Sequence, residues 1–519
     1  MNLVHCVSAL HNGAAIPALR FPPSKGGGGG GGGLGGGGGL GSGGVEKKVT
    51  ERITNNPNRD DKKDDGKVER LGKWLQTLGH DDCNLRLEKW LRGSEAPGYG
   101  MVAGPGGINK SDVIVRIPKE ALMTEETAAT CPYVGPLAQG AQLTPWQAMC
   151  LHLLCERARG VESPWYRYIA LLPSELQMAG SHPMLWPQRM RRDWLAGSPM
   201  LDTTEKRLQI CREDHEAMLA AGASKLLPAG PGSGGFVTEL AVRWAAVILL
   251  SRSFSLDIDE QIYRDTGPSL ALVPWADMLN HSSAAGKESC LVYDYHTMTA
   301  SLRAHKVYEE GEQVYDSYGP NLSPSQLLLD YGFVDKENKN YAVDLPGHVL
   351  GPLKSKHNAL LLEAVGLPYG GAVFTLTPSG VDDSVLAWTR AALASHKELS
   401  NAGWKEDTPA SMWQYHGAST AMANFARPVS RENEAEVLRR LLWASEDLLR
   451  QYPTTIEEDA AALTASDAAS TKAVPLPWAR KQAVRALISE KMALIGAHQA
   501  LWETLVKLRS GSSVHSLYQ

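Results

Sequence analysis

A basic excess is missing from this sequence, and with it the simplest reason to expect a nucleic-acid partner. Its 519 residues carry 52 Lys and Arg against 57 Asp and Glu, for a net charge of -5. No lysine/arginine block is long enough to neutralise a phosphate backbone. Cysteine is scarce: the seven, at 6, 83, 131, 150, 155, 211 and 290, are odd in number and form no CxxC pair. That usage argues for a reducing compartment over a disulfide framework or a zinc site, and it makes Cys150 and Cys155 core thiols. Long apolar runs are absent too, since "WAAVILL" (244–250) falls far short of the roughly 20 residues a membrane-spanning helix needs. No HExxH, GxSxG or P-loop pattern is present. The "GPGG" at 104–107 opens no GxGxxG helix and has no acidic residue at ribose-binding distance, so a Rossmann dinucleotide site is excluded. The chain is expected to be soluble, with no nucleic-acid partner and no membrane.

What is present divides the chain. Its length implies two or three folded units. Residues 26–44 hold 16 glycines in 19 positions, and residues 46–70 hold 15 charges of both signs; neither can bury enough surface to offset the entropy of ordering. The first 45 residues contain no Asp or Glu, as in an organellar transit peptide, although serine is scarcer than that class prefers. Targeting segment and frayed tail both stay open, and 1–70 is read as disordered. Order is expected from "LGKWLQTLG" (71–79), where Trp74, Leu75 and Leu78 share a helical stripe. "GYGMVA" (98–103) and "DVIVRIP" (112–118) read as strands. Residues 144–255 switch to helical spacing, beginning with "TPWQAMCLHLLCERARG" and its terminal Gly160. A second β block runs from Leu270 to Tyr318, with Glu310-Gly311 as a hairpin turn. From about 350 the pattern is almost purely helical: Val437, Leu438, Leu441, Leu442, Leu448 and Leu449 form one broad face, and Thr455 with Glu458 has capping-box spacing. The fold class is α+β.

"WADMLNHSS" (275–283) is the odd segment. An apolar run, Leu270 to Pro274, leads into an Asn-His pair that a buried chain end should avoid; an ordinary turn capping a strand would explain it. Taken with Gly98-Tyr99-Gly100, "SRSFS" (251–255), "YDSYG" (315–319) and "DYGF" (330–333), however, the ordered set resembles the SET-domain protein methyltransferases. More narrowly, the chain is similar to the branch containing the plant Rubisco large-subunit lysine methyltransferase. "SPWYRYIALLP" (163–173), "YPTTIEED" (452–459) and "AVRALISEKMALI" (483–495) carry that similarity across residues 70–505. It implies a β-rich SET domain over 71–345 with a knot-like crossing and a helical insert at about 130–255, followed by an all-α substrate-binding domain over 350–510.

The resemblance also implies roles. S-adenosylmethionine would be the methyl donor, with no metal: His281, His296 and His305 have no cysteines at ligand spacing. Asn280 and His281 would lie in the crossing beside the donor, and their polarity would be met by ligand as well as protein. Gly98, Tyr99 and Gly100 would line it closely, and Arg252 would pair with its carboxylate. The acidic residue that family members place directly before the first glycine stands here at Glu95, with Pro97 at that position. Tyr318 would be catalytic and would also touch the donor. Phe254, Ala276, Asp277 and Tyr331 would line the acceptor channel. Relatives that methylate histidine in actin have a polar residue at the place of Phe254 and a tryptophan at that of Ala276, so aromatic walls here favour an aliphatic lysine stem. The expected partner is a protein presenting a lysine, met by a monomer, in the chloroplast stroma on the Rubisco-type resemblance and in cytoplasm or nucleus otherwise; Rubisco or aldolase would suit the first. A protein-histidine methyltransferase and a non-catalytic SET scaffold are the rival readings.

Overall fold

The computed structural model describes residues 65–80, 83–90, 98–140, 142–227, 235–258, 269–285, 291–404, 418–467, 476–514 and 517–518. Residues 1–64, with the transit-peptide and glycine-tract readings, and Glu95 lie outside the described residues.

Order begins earlier than the charge run implies. Helix α1 (Asp65–Thr77) takes in residues 65–70, which composition assigns to a disordered tail. Leu71 and Leu75, one turn apart, are fully buried, and Trp74 and Leu78 pack at the edge of the same core. Once that face is anchored, the charged turn ahead of it stays helical: Glu69 and Lys73 pair at 2.6 Å, and Lys67 Nζ donates to the Ala170 carbonyl at 3.1 Å. Charge density alone does not separate a disordered tail from the solvated side of a helix.

The strands β1 (Leu85–Trp90), β2 (Gly98–Ala103), β3 (Val113–Pro118) and β4 (Met123–Thr124) precede a run of helices. Those helices include α2 (Glu125–Thr130), α3 (Pro145–Arg159), α4 (Tyr166–Ile169), α5 (Pro199–Ala220) and α6 (Glu239–Arg252). Strands β5 (Ser253–Leu256), β6 (Ser269–Leu272), β7 (Asn280–His281), β8 (Val292–Asp294), β9 (Thr299–Arg303) and β10 (Gln313–Asp316) follow. Leu272 of β6 opposes both Met123 of β4 and Ser253 of β5. The helices between β4 and β5 therefore leave one small sheet and return to it. Helix α3 starts where Thr144 and Gln147 exchange capping bonds and Pro145 occupies the first turn; it ends at Gly160, φ 55°. Helix α6 buries Val242, Trp244, Ala245, Ala246, Val247, Ile248, Leu249 and Leu250, as a helix enclosed on all sides does, and delivers Arg252 at its end.

A second sheet has the order β3-β9-β8, and a third runs β1-β2-β10-β7. Strands β9 and β10 thus belong to different sheets, so Glu310-Gly311 does not join a hairpin. It forms a tight turn, with Glu312 N–H donating to Glu309 O at 3.0 Å and Gly311 at φ 77°. The turn chemistry was legible, whereas the pairing partners were chosen by burial elsewhere.

After α7 (Pro324–Tyr331) the C-terminal part is built mainly from α8 (Arg431–Gln451), α9 (Ile456–Asp467) and the 32-residue α10 (Trp478–Arg509). Val437, Leu438, Leu441, Leu442 and Leu448 are buried, each such side chain contributing about 1.5–3 kcal/mol. Thr455 and Glu458 exchange capping bonds at 2.8 and 3.2 Å. The purely helical reading misses one antiparallel sheet, β11 (Val343–Pro346), β12 (Val373–Thr377) and β13 (Gly380–Val381). In "VFTLT" the alternate residues Phe374 and Leu376 are buried, a period of two that is too short to stand out among helical spacings. Among the described residues, no helix is long and apolar enough to cross a membrane.

Candidate active site

The Asn-His pair sits in a parallel ladder: Asn280 opposes Tyr315 and His281 opposes Asp316. Ser282 N–H continues it to Asp316 O at 3.1 Å. Two residues beyond β10, Tyr318 folds back on the same corner. Its N–H donates to His281 Nδ1 at 3.0 Å and its hydroxyl donates to Leu279 O at 2.8 Å. Asn280 Nδ2 donates to Tyr99 O at 3.2 Å, tying the corner to β2. Tyr99, Asn280, His281 and Tyr318 are thus brought together, and the polar pair at the end of an apolar run is largely satisfied by backbone groups.

The bond from Tyr318 N–H fixes the histidine tautomer. Nδ1 must carry its lone pair inward, leaving Nε2–H to face Ser283 Oγ at 3.3 Å. Ser283 N–H in turn donates to Asp335 Oδ2 at 3.1 Å. Burial drives His281 from the ordinary 6.5 to about 4, with Asp335 pulling the other way. The imidazole is neutral in the fold above pH 4 but protonates in the unfolded chain below 6.5. The unfolded state therefore binds more protons, and stability is lost as pH falls through this window, by on the order of 3 kcal/mol. His182, pushed to about 3 by burial, contributes in the same direction. His281→Asn keeps an acceptor for Tyr318 N–H but cannot titrate. Urea unfolding followed from neutral pH toward pH 4 is expected to give a shallower slope for this variant, and an unchanged slope would remove His281 from the account.

Four rings close the corner. Tyr318 and Tyr331 lie 4.5 Å apart at 31°, and Phe333 stands 6.2 and 6.3 Å from them and 6.1 Å from His281. Helix α7 aims this cluster. Ser323 and Gln326 exchange capping bonds at its start, and Gly332 ends it at φ 80°, so Tyr331 leaves the last turn and Phe333 the first extended position. A Cβ on Gly332 would stand 3.2 Å from His182 Cα, which adds close packing to the left-handed backbone that glycine permits. Burial raises the Tyr318 and Tyr331 phenols well above the ordinary tyrosine range, so both stay protonated at neutral pH.

Beside the rings, Arg252 Nη1 donates to Asp277 O at 3.0 Å and Oδ2 at 3.2 Å. Tyr168, from the helical insert, donates its hydroxyl to the same Oδ2 at 2.8 Å. Burial pushes the Asp277 carboxyl up, while Arg252 and Tyr168 oppose the rise. Its other oxygen, Oδ1, is buried with no hydrogen-bond partner among the described residues. Trp275, just before, has φ 76° and ψ -49°, a positive-φ γ-turn that costs about 1–3 kcal/mol in a non-glycine residue. It swings Ala276 and Asp277 inward, where both are buried.

Phe254 belongs to the β4-β6-β5 sheet. It stands half-buried on β5 opposite Ala271 and is not part of the ring cluster around Tyr318. Gly98 and Gly100 face Trp90 and Glu88 across β2, and a Cβ on Gly98 would meet no described atom within 4 Å. Tyr168, Phe333, Ser283 and Asp335 were not expected. Tyr168, Phe333 and Ser283 lie inside quoted motifs, "SPWYRYIALLP", "DYGF" and "WADMLNHSS", but partners such as Asp277 and Asp335 are far away in sequence.

The arrangement fits a zwitterionic, positively charged small molecule. Among the described residues, the Arg252 bonds use Nη1 alone, which leaves the Nε/Nη2 edge as a fork for a carboxylate. Asp277 Oδ1 is a buried acceptor with no partner among the described residues, and no described atom stands within 4 Å of where a Gly98 Cβ would be.

Residues 356–494 match the family described as Rubisco LSMT substrate-binding. The chain is 27% identical over 422 residues to the chloroplastic [fructose-bisphosphate aldolase]-lysine N-methyltransferase of Arabidopsis thaliana, covering 76% of each. It is also 27% identical over 410 residues to the actin-histidine N-methyltransferase of Danio rerio, covering 76% of this chain and 63% of that one. Its fold matches the crystal structure of the SET domain of LSMT bound to lysine and AdoHcy, with a TM-score of 0.66 and 23% identity over 86% of this chain and 93% of that one.

Proposed function

We propose that lysine is the acceptor of this S-adenosylmethionine-dependent protein methyltransferase, a chain with the SET-domain fold and the Rubisco-type substrate-binding domain. The observation that carries the reading is the ring-walled corner in which the Tyr318 hydroxyl meets the Leu279 carbonyl beside the Arg252–Asp277 pair. When bound, S-adenosylmethionine supplies a methyl group on a positively charged sulfur. The free edge of Arg252 would hold its carboxylate, and Asn280, His281 and the Gly98-Tyr99-Gly100 strand would line the rest; Glu95 belongs to the same set only by resemblance.

The chain's own task is to present a neutral amine. A free lysine, with a reference pKa of about 10.4, is mostly protonated near neutral pH. Tyr318, Tyr331 and Phe333 disfavour the cation by removing water around it. Tyr318 is no base, since its phenol stays protonated. Its O–H is already given to Leu279 O, which leaves the oxygen lone pairs as acceptors for an amine N–H and for the polarised methyl hydrogens. Accepting that N–H turns the nitrogen lone pair toward the methyl carbon, as an in-line displacement requires. Ala276 keeps the channel floor small, and Asp277 bounds the acceptor side; Phe254 belongs to that side only by resemblance.

The plastid relative and the acid-free first 45 residues support a stromal enzyme acting on a protein such as Rubisco large subunit or aldolase. A histidine acceptor is the second reading, favoured by the equally similar Danio rerio relative. Incubation with radiolabelled donor and either plastid or cytosolic extract, followed by mass spectrometry of labelled peptides, separates them. Methyl-lysine in a stromal protein is expected. Methyl-histidine would replace lysine as acceptor, and no label together with no donor-induced thermal stabilisation would leave a scaffold.

A further inference from the structure

Three side chains with metal-binding atoms converge well away in sequence from the Tyr318 corner, with a fourth, Cys155, on the same helix face. Helix α3 presents His152, Cys155 and Glu156 at positions i, i+3 and i+4, on one face. Cys131, the residue that follows α2, meets them. Ligand atoms of Cys131, His152 and Glu156 lie within 4.8 Å of one another, and Cys155, one turn along α3 from His152, stands on the same face beside Cys131. All four residues are buried, Cys131 the most exposed at 6% and His152 at 1%.

His152 supplies the second, independent observation. No hydrogen bond of ordinary geometry reaches either ring nitrogen among the described residues; the polar group the ring interacts with is the Cys131 thiol, itself a member of the cluster. Its ring contact with Trp165, T-shaped at 5.3 Å, offers nothing to a nitrogen lone pair. Buried imidazole nitrogens are ordinarily bonded, and one within 4.8 Å of a thiol and a carboxylate suits a cation better than any neutral donor.

We propose that Cys131, His152, Cys155 and Glu156 form a structural site for a divalent transition metal of the zinc class. Two thiols, one imidazole and one carboxylate are the donor types such an ion takes in a closed tetrahedral site. The charges cancel: two thiolates and a carboxylate face the ion and the Arg159 guanidinium, whose Nη1 donates to both Glu156 oxygens at 2.8 and 2.9 Å. Neutrality is what burial demands. Bonds of about 2.0–2.3 Å set ligand atoms about 3.3–3.8 Å apart, so closing onto an ion asks side-chain ends to move by about 1 Å. Each thiol gives its proton to solvent as it becomes a ligand, so binding weakens in acid. The cysteine spacing hid the site, since Cys131 and Cys155 stand 24 positions apart and match no CxxC pattern.

The test uses the full chain, reduced, freed of any polyhistidine tag, stripped with chelator and dialysed against zinc chloride. Elemental analysis is expected to give one zinc per chain, falling at least ten-fold in both Cys131→Ser and His152→Gln, with Cys83→Ser as the unaffected control. Cobalt(II) loaded into the unsubstituted chain should show thiolate-to-cobalt charge transfer and intense tetrahedral visible bands, a readout independent of whether the variants fold. Less than one tenth of an equivalent of zinc in the reduced natural chain, or cobalt spectra without thiolate bands, overturns the proposal and leaves a plain thiol core.

Discussion

Tyr318→Phe is expected to bind donor as the natural chain does and to transfer methyl groups at least about a hundred-fold more slowly. The substitution keeps the ring, so the packing against Tyr331 at 4.5 Å and His281 at 5.1 Å and the Tyr318 N–H bond to His281 all remain. It removes one oxygen, held in place by Leu279 O. Without it, the incoming amine loses the acceptor that orients its lone pair, while the donor loses only weak contacts. Calorimetry of donor binding and single-turnover transfer on the same preparation check this. Unchanged turnover would strip Tyr318 of its role, and lost donor binding would recast it as a structural residue. Because the phenol is kept protonated by burial, the natural enzyme should speed up as pH rises toward the lysine range, and no limb of its profile should belong to Tyr318.

The second large effect is at Arg252. Arg252→Met should lower stability by about 3–5 kcal/mol, the usual result of leaving one member of a buried ion pair alone, because the Asp277 side chain is fully enclosed. It should also weaken donor binding about a hundred-fold through loss of the carboxylate fork. Adding Asp277→Asn separates the two consequences. The amide can still accept from Tyr168, and no charge is stranded, so most of the stability should return in urea unfolding while donor affinity stays low. If the double variant recovers both, Arg252 serves the fold alone.

How much of this was legible in the chain depended on sequence distance. "NHS" and "YG" are each compact, and the residues they name meet because β7 and β10 pair. The Tyr168–Asp277 bond joins residues 109 positions apart, and Tyr168 in isolation has the pattern of any buried tyrosine. Phe333 was inside a quoted motif, yet its place among the rings follows from how Gly332 ends α7. Residues 65–70 read as disordered because their charges dominate, and only the burial of Leu71 and Leu75 makes them helical. The strand at 373–377 was lost among longer helical periods. Phe254 has the expected neighbour in sequence, Arg252, and a different one in space, Ala271.

The ladder between Asn280 and Tyr315 has a kinetic corollary. Closing a segment of 35 residues costs about 3 kcal/mol of chain entropy beyond a constant, returned by only two strand pairs and the bonds of Tyr318. Such a distant, short pairing forms late, after the flanking sheets and the insert have condensed. A nascent or partly unfolded chain would consequently hold no assembled catalytic corner, so methylating activity should recover on refolding with the slowest phase rather than with the bulk of the helical signal.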